Sequence, residues 1–100
     1  MKREWTLYII EAENGYLYTG ITKDLERRFL EHSNAQGGAK FFRRSPPKKI
    51  LFSVSRLTHS AALTCEYAVK TLNRDQKLEI TKIKSSVTEL KRKLKSLGRI

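Results

Sequence analysis

Acidic side chains are scarce in this sequence, and cysteine is scarcer still. The 100 residues carry 10 Asp and Glu against 21 Lys and Arg, a formal charge of +11 at neutral pH. From His32 to Arg74 the basic residues are Lys40, Arg43, Arg44, Lys48, Lys49, Arg56, Lys70 and Arg74, and the single acid is Glu66. A metal site built from clustered carboxylates is therefore excluded from that stretch. A compact chain with so much positive charge repels itself unless a polyanion neutralises it, which favours nucleic acid or an anionic membrane surface as partner, and the uneven distribution favours nucleic acid. Cys65 is the one cysteine, so there is no intramolecular disulfide and no cysteine-rich zinc site. Lying among Ala61, Ala62 and Ala68, it reads as small core filler. No apolar run approaches the ~20 residues of a membrane span. The opening MKREWTLYII lacks a signal peptide's apolar core and cleavage site, so the expected compartment is a reducing cytoplasm. Repeats, low-complexity tracts and Gly/Ser linkers are also missing. The expected organisation is one domain over residues 1–80, followed by a basic amphipathic helix over 81–100 that packs on it or extends it.

What is present is strongly patterned. Trp5 to Glu11 and Tyr16 to Ile21 are rich in β-branched and aromatic residues and flank Glu13-Asn14-Gly15, a hairpin signal. Loop length decides the chemistry here. A two-residue turn at Asn14-Gly15 puts Tyr8 and Tyr18 on opposite faces of the ribbon. A three-residue loop with Gly15 left-handed pairs Ile10 with Tyr18 and Tyr8 with Gly20. That register collects Leu7, Ile9, Leu17 and Ile21 on one face and Thr6, Tyr8, Ile10, Tyr16, Tyr18 and Gly20 on the other, and it is the one expected. Thr22 or Asp24 caps a helix to about Asn34, with Leu25 and Phe29 on its buried stripe and Arg28 and His32 neighbours at i, i+4. Gly37-Gly38 ends that segment. Lys49 to Arg56 alternates as a third strand with Ile50, Phe52 and Val54 on one side, and Pro46-Pro47 stiffens its approach. A second helix, capped by Thr58 or Ser60, runs to about Leu72 on a stripe of Ala61, Cys65, Ala68, Val69 and Leu72. Ile80, Ile83, Val87, Leu90, Leu94 and Leu97 continue at helical spacing, with Ser86-x-x-Glu89 marking a break and Gly98 a stop. The fold class is α+β: a small three-stranded antiparallel sheet flanked by helices, plus a C-terminal amphipathic helix.

Taken one at a time, the polar residues of this pattern have ordinary explanations. Tyr8 and Tyr18 suit a strand, Arg28 a solvated helix face, His32 a helix end, and Glu66 an ion pair with Lys70. As a set they suit phosphodiester hydrolysis, which needs an activated water, a cation on the non-bridging oxygens and stabilisation of the leaving oxygen. One carboxylate is enough for Mg²⁺, which keeps waters and phosphate oxygens in its shell.

The ordered pieces WTLYII, LYTGIT, DLERRFLEH, GAKFFRRSPPKKILFS and CEYAVKTLNRDQKLEI resemble the GIY-YIG nuclease superfamily, specifically its small stand-alone bacterial members of the UPF0213 kind. Thr6-Leu7-Tyr8 stands where the first motif has Gly-Ile-Tyr and keeps the tyrosine. The resemblance implies a metal-dependent endonuclease that hydrolyses phosphodiester bonds in DNA, structure-selective or non-specific, with a role in DNA repair or processing. A non-catalytic nucleic-acid-binding module on the same fold is the alternative. It implies Tyr8, Tyr18, Arg28, His32 and Glu66 as catalytic residues, with Glu66 holding a single Mg²⁺ or Mn²⁺ ion. Tyr8 is the expected base, with Tyr18 or His32 orienting water or phosphate; the two tyrosines can exchange roles. Gly20 matches a position where a side chain would obstruct the substrate. Lys40, Arg43, Arg44, Lys48, Lys49 and Lys70 are expected along the backbone of DNA, or of RNA. Neither a membrane nor a small-molecule cofactor is expected, and the chain is expected to be a monomer or a weak dimer through its C-terminal helix.

Overall fold

The computed structural model describes residues 2–34 and 38–100. Three antiparallel strands, β1 (Trp5–Ala12), β2 (Leu17–Thr22) and β3 (Pro47–Leu57), form a sheet of order β2-β1-β3. The hairpin takes the three-residue loop. Ile10 pairs with Tyr18 and Tyr8 with Gly20, the Ala12 N–H donates to Tyr16 across the loop, and Gly15 sits at φ +87°, where a residue without Cβ is unstrained.

Because side chains alternate along a strand, that register divides the sheet into two faces. On one, Leu7, Ile9, Phe52 and Val54 meet helix α2 (His59–Lys70) and helix α4 (Val87–Ser96), whose Ala62, Cys65, Ala68, Val69, Leu90 and Leu94 are buried against them. Thr58 caps α2 by accepting from the Ala61 N–H. Ser86 caps α4 by accepting from the Glu89 N–H, so the C-terminal helical segment does break at Ser86. Gly98, at φ +72°, follows its last turn. The apolar stripe of α4 is spent on the chain's own core, where Leu90 and Leu94 have no exposed surface. At roughly 2 kcal/mol for each leucine side chain taken out of water, this segment is part of what holds the sheet's aliphatic face shut.

On the other face lie Tyr8, Ile10, Ala12 and Phe42, with Tyr18, Leu25 and Phe29 partly buried beside them. Helix α1 (Leu25–Ser33) starts at Asp24, whose carboxylate accepts from the Arg27 N–H. A single turn of 3₁₀ helix, Lys40–Arg43, closes this layer.

Two local expectations are corrected. The pairing of β1 with β3 slips between Ile9↔Phe52 and Ile10↔Ile50. The extra residue turns Ile50 to the α1 face beside Phe29 and Leu30, away from Phe52 and Val54. A short helix α3 (Arg74–Ile80) also intervenes after α2, started by a capping box in which Asn73 and Gln76 satisfy each other's backbone N–H. Of the Gly37-Gly38 stop, Gly37 lies outside the described residues.

Candidate active site

Tyr8 stands at the centre of the polar face, in the middle strand, and is almost completely buried. Its ring passes over β2 at the one position that has no side chain. A Cβ on Gly20 would lie 2.4 Å from the Tyr8 hydroxyl and 2.6 Å from its ring carbon. Gly20 was expected to leave room for substrate; the geometry adds that a side chain there would strike Tyr8 itself.

The Tyr8 hydroxyl is 2.9 Å from His32 Nε2. The other ring nitrogen settles the direction of that bond. Nδ1 accepts from the Ala39 N–H at 3.1 Å, so a neutral imidazole carries its proton on Nε2 and donates it to the Tyr8 oxygen. Burial, then the positive charge of Arg28, pushes the His32 pKa down to about 4, so the ring is neutral at physiological pH. What lets Ala39 approach is Gly38: a Cβ there would lie 2.5 Å from the His32 Cα and 2.7 Å from the Glu31 carbonyl oxygen.

Arg28 supplies a second donor to Tyr8. Glu31 holds it in place, accepting from Arg28 Nη1 at 3.0 Å while also meeting Arg27 at 3.4 Å. The Glu31 carboxyl is accordingly held below the usual carboxylate range, chiefly by its bond to Arg28. Of the two adjacent arginines, Arg28 is thus the one turned to the site, while Arg27 stays largely exposed. Tyr8 nevertheless keeps its proton in the free protein. Burial is the largest cause, reinforced by Tyr18, and together with Glu66 it outweighs Arg28 and lifts the phenol to about 12. A phenol whose oxygen receives two hydrogen bonds is prepared for negative charge.

Tyr18 completes the cluster, with ring centroids 6.2 Å from Tyr8 and 5.4 Å from His32. Phe41 and Phe42 pack on it at 5.3 and 5.0 Å, and Phe42 covers the His32 ring at 4.5 Å. Neither phenylalanine was singled out from the sequence, nor were Glu31 and Ala39, and Gly38 was read only as part of the stop after α1. The pair Phe41-Phe42 in a basic loop was the available signal.

Glu66 comes from the opposite layer, on α2, and is near enough to oppose ionisation of Tyr8. It forms the ion pair with Lys70 that its spacing suggests, at 3.3 Å, with a side chain only 20% exposed. Among the described residues no three His, Cys, Asp or Glu converge as a preformed metal cage. A lone carboxylate with an exchangeable lysine partner fits Mg²⁺ or Mn²⁺, which take one or two carboxylates plus water and phosphate oxygens, and does not fit zinc.

The expected nucleic-acid residues divide. Lys40, Arg43 and Arg44 are exposed on and beside the 3₁₀ turn that carries Phe41 and Phe42. Lys48 and Lys49 are exposed on β3, the far edge of the sheet from β2, and Lys49 pairs with Glu11. Lys70, half-exposed, forms the exchangeable ion pair with Glu66.

This sheet, with tyrosines from two strands, an arginine and histidine from the following helix and a glutamate from the next layer, corresponds to a known nuclease-type fold. The model of the GIY-YIG catalytic domain matches residues 4–79, and the chain belongs to that family. Within it the chain is similar to UPF0213 proteins. It is 41% identical over 76 residues to one from Photorhabdus laumondii, covering 76% of this chain and 72% of that one. It is also 41% identical over 78 residues to one from Cupriavidus pinatubonensis, covering 78% and 86%. The solution NMR structure of a UPF0213 protein from Bacillus halodurans superimposes with a TM-score of 0.52 at 30% identity, covering 90% of this chain and 95% of that one. Among the described residues no helix is long and apolar enough to cross a membrane.

Proposed function

We propose that the chain is a metal-dependent endonuclease that hydrolyses phosphodiester bonds in DNA, acting on structures or ends rather than on a base sequence, in repair or processing. The observation that carries this reading is the convergence on the Tyr8 oxygen. His32 Nε2–H and Arg28 both donate to it, the Tyr18 ring packs beside that of Tyr8, and Glu66 is near enough to act on it electrostatically.

In this reading the Tyr8 phenol first releases its own proton to solvent, the two donors hold the phenolate so formed, and that phenolate takes the proton of the attacking water. His32 is spent as a donor: its Nδ1 lone pair is occupied by Ala39 and its Nε2 already bears a proton. Arg28 also meets charge developing on the phosphate, and Tyr18 orients water or phosphate. Glu66 would hold a divalent ion, which would supply positive charge at the scissile phosphate. No base-reading element stands out among the described residues; exposed Lys40, Arg43 and Arg44 provide contacts to phosphates.

The test is incubation with single-stranded, duplex, nicked and branched DNAs, with Mg²⁺ and with chelator. Cleavage that requires the metal supports the reading. Tight binding to every substrate without cleavage would favour a binding module on the same fold.

A further inference from the structure

A cleft of about 410 Å³ opens beside the tyrosine cluster at the closed end of the hairpin, bordered by Tyr16, Leu17, Phe41, Arg74 and Lys77. Phe41 joins the two places, because one side of its ring packs on Tyr18 at 5.3 Å while it also lines the cleft. Tyr16 is 65% exposed, although it follows a hairpin turn where any polar residue would serve. No carboxylate lines the cleft. Arg74 is fixed at the rim by donating from Nη1 to the Gly15 carbonyl at 2.7 Å, which uses one of its five N–H donors.

Aromatic faces, flanking cations and missing acids are the features that bind a nucleic-acid strand without reading its sequence: bases stack on the rings and phosphates meet the cations. Inside a duplex each base is already stacked on both sides, so such a cleft discriminates in favour of an unpaired one. We propose that it holds one unpaired nucleotide of the DNA strand being cut, its base against Tyr16 and Phe41 and its phosphate at Arg74 and Lys77. This rests on the phosphodiesterase reading of the neighbouring site and extends it: the preferred substrates are single strands, flaps and frayed ends.

The experiment measures binding of the full chain to a short fluorescent single strand and to the corresponding duplex in chelator, where no strand is cut. Tyr16→Ala is expected to weaken single-strand binding about tenfold, the loss of one stacked base, and duplex binding less than about twofold. Tyr16→Trp is expected to retain the wild-type affinity, and Lys77→Gln to reduce the salt dependence of single-strand binding. Equal losses on both probes, or no loss with Tyr16→Ala, would overturn the proposal. A parallel cleavage assay with Mg²⁺ separates the two readings. Selective loss in Tyr16→Ala without any cleavage by the wild type overturns the nuclease and keeps the cleft. Cleavage with no selective loss keeps the nuclease and overturns the cleft.

Discussion

Leu7 and Ile9 point to one side of the sheet and Tyr8 and Ile10 to the other, and the two sides are organised differently. The first is a dry aliphatic layer closed by α2 and α4, in which side-chain identity is a matter of volume. The second buries a phenol and an imidazole together, and almost every polar atom there has a designated partner: Ala39 for His32, His32 and Arg28 for Tyr8, Glu31 for Arg28. Four consecutive residues of one strand thus serve stability and chemistry by turns. Substitutions on the two sides are expected to separate these properties.

The largest expected effect is on the polar side. Glu66→Ala should lower metal-dependent cleavage by about 10²–10³-fold while leaving the melting temperature close to that of the wild type, since its ion-pair partner Lys70 is half-exposed and that pairing is weak. Undiminished activity would remove Glu66 as the ligand. On the aliphatic side, Leu7→Ala should destabilise by about 2–5 kcal/mol in chemical denaturation, the usual result of a cavity under a fully buried leucine. A loss below about 1 kcal/mol would show that this face is not the core described here.

Acid sharpens the comparison further. An unfolded chain takes up a proton on His32 below about 6.5, whereas the folded protein does so only near 4. Between those values the unfolded state binds the extra proton, so stability falls as the pH falls through this window, by up to about 3 kcal/mol. His32→Gln should flatten that part of the stability profile, and an unchanged slope would show that His32 is not buried neutral. The smallest effect is a polar atom misplaced on the aliphatic side. Thr19 pairs with Ile9 and is buried, with no hydrogen-bond partner for its hydroxyl among the described residues. Thr19→Val should raise stability by about 1 kcal/mol in thermal unfolding; a decrease would imply an unseen partner.

Most of this architecture was legible from residue patterns because its signals are local. Loop length and Gly15 determine the hairpin register, and the register decides that Tyr8 and Tyr18 share a face. Thr58 and Ser86 announce their helices by the groups they cap. Signals that depend on tertiary folding were not legible. The slip that redirects Ile50 is a property of two strands together, and nothing in KILFSVSR marks it. Gly38 and Ala39 matter only because the chain after α1 folds back onto His32. Phe42 matters only because it lands on the same ring. Glu66 and Lys70 show the limit of spacing arguments from the other side: the ordinary ion pair is formed, and it coexists with a position beside Tyr8 that spacing alone does not reveal.

The most direct test is the single-turnover cleavage rate of the wild type and of Tyr8→Phe, from about pH 6 to about pH 9 in Mg²⁺, with DNA affinity measured alongside. With Tyr8 as the base and His32 locked as a donor, the wild-type rate should climb with pH and show no inflection near 6.5. The phenylalanine variant should bind DNA normally and cut about 10²–10⁴-fold more slowly with a flat profile. A Tyr8→Phe protein that cuts at the wild-type rate, or a wild-type profile that breaks at the ordinary histidine pKa, would contradict this account.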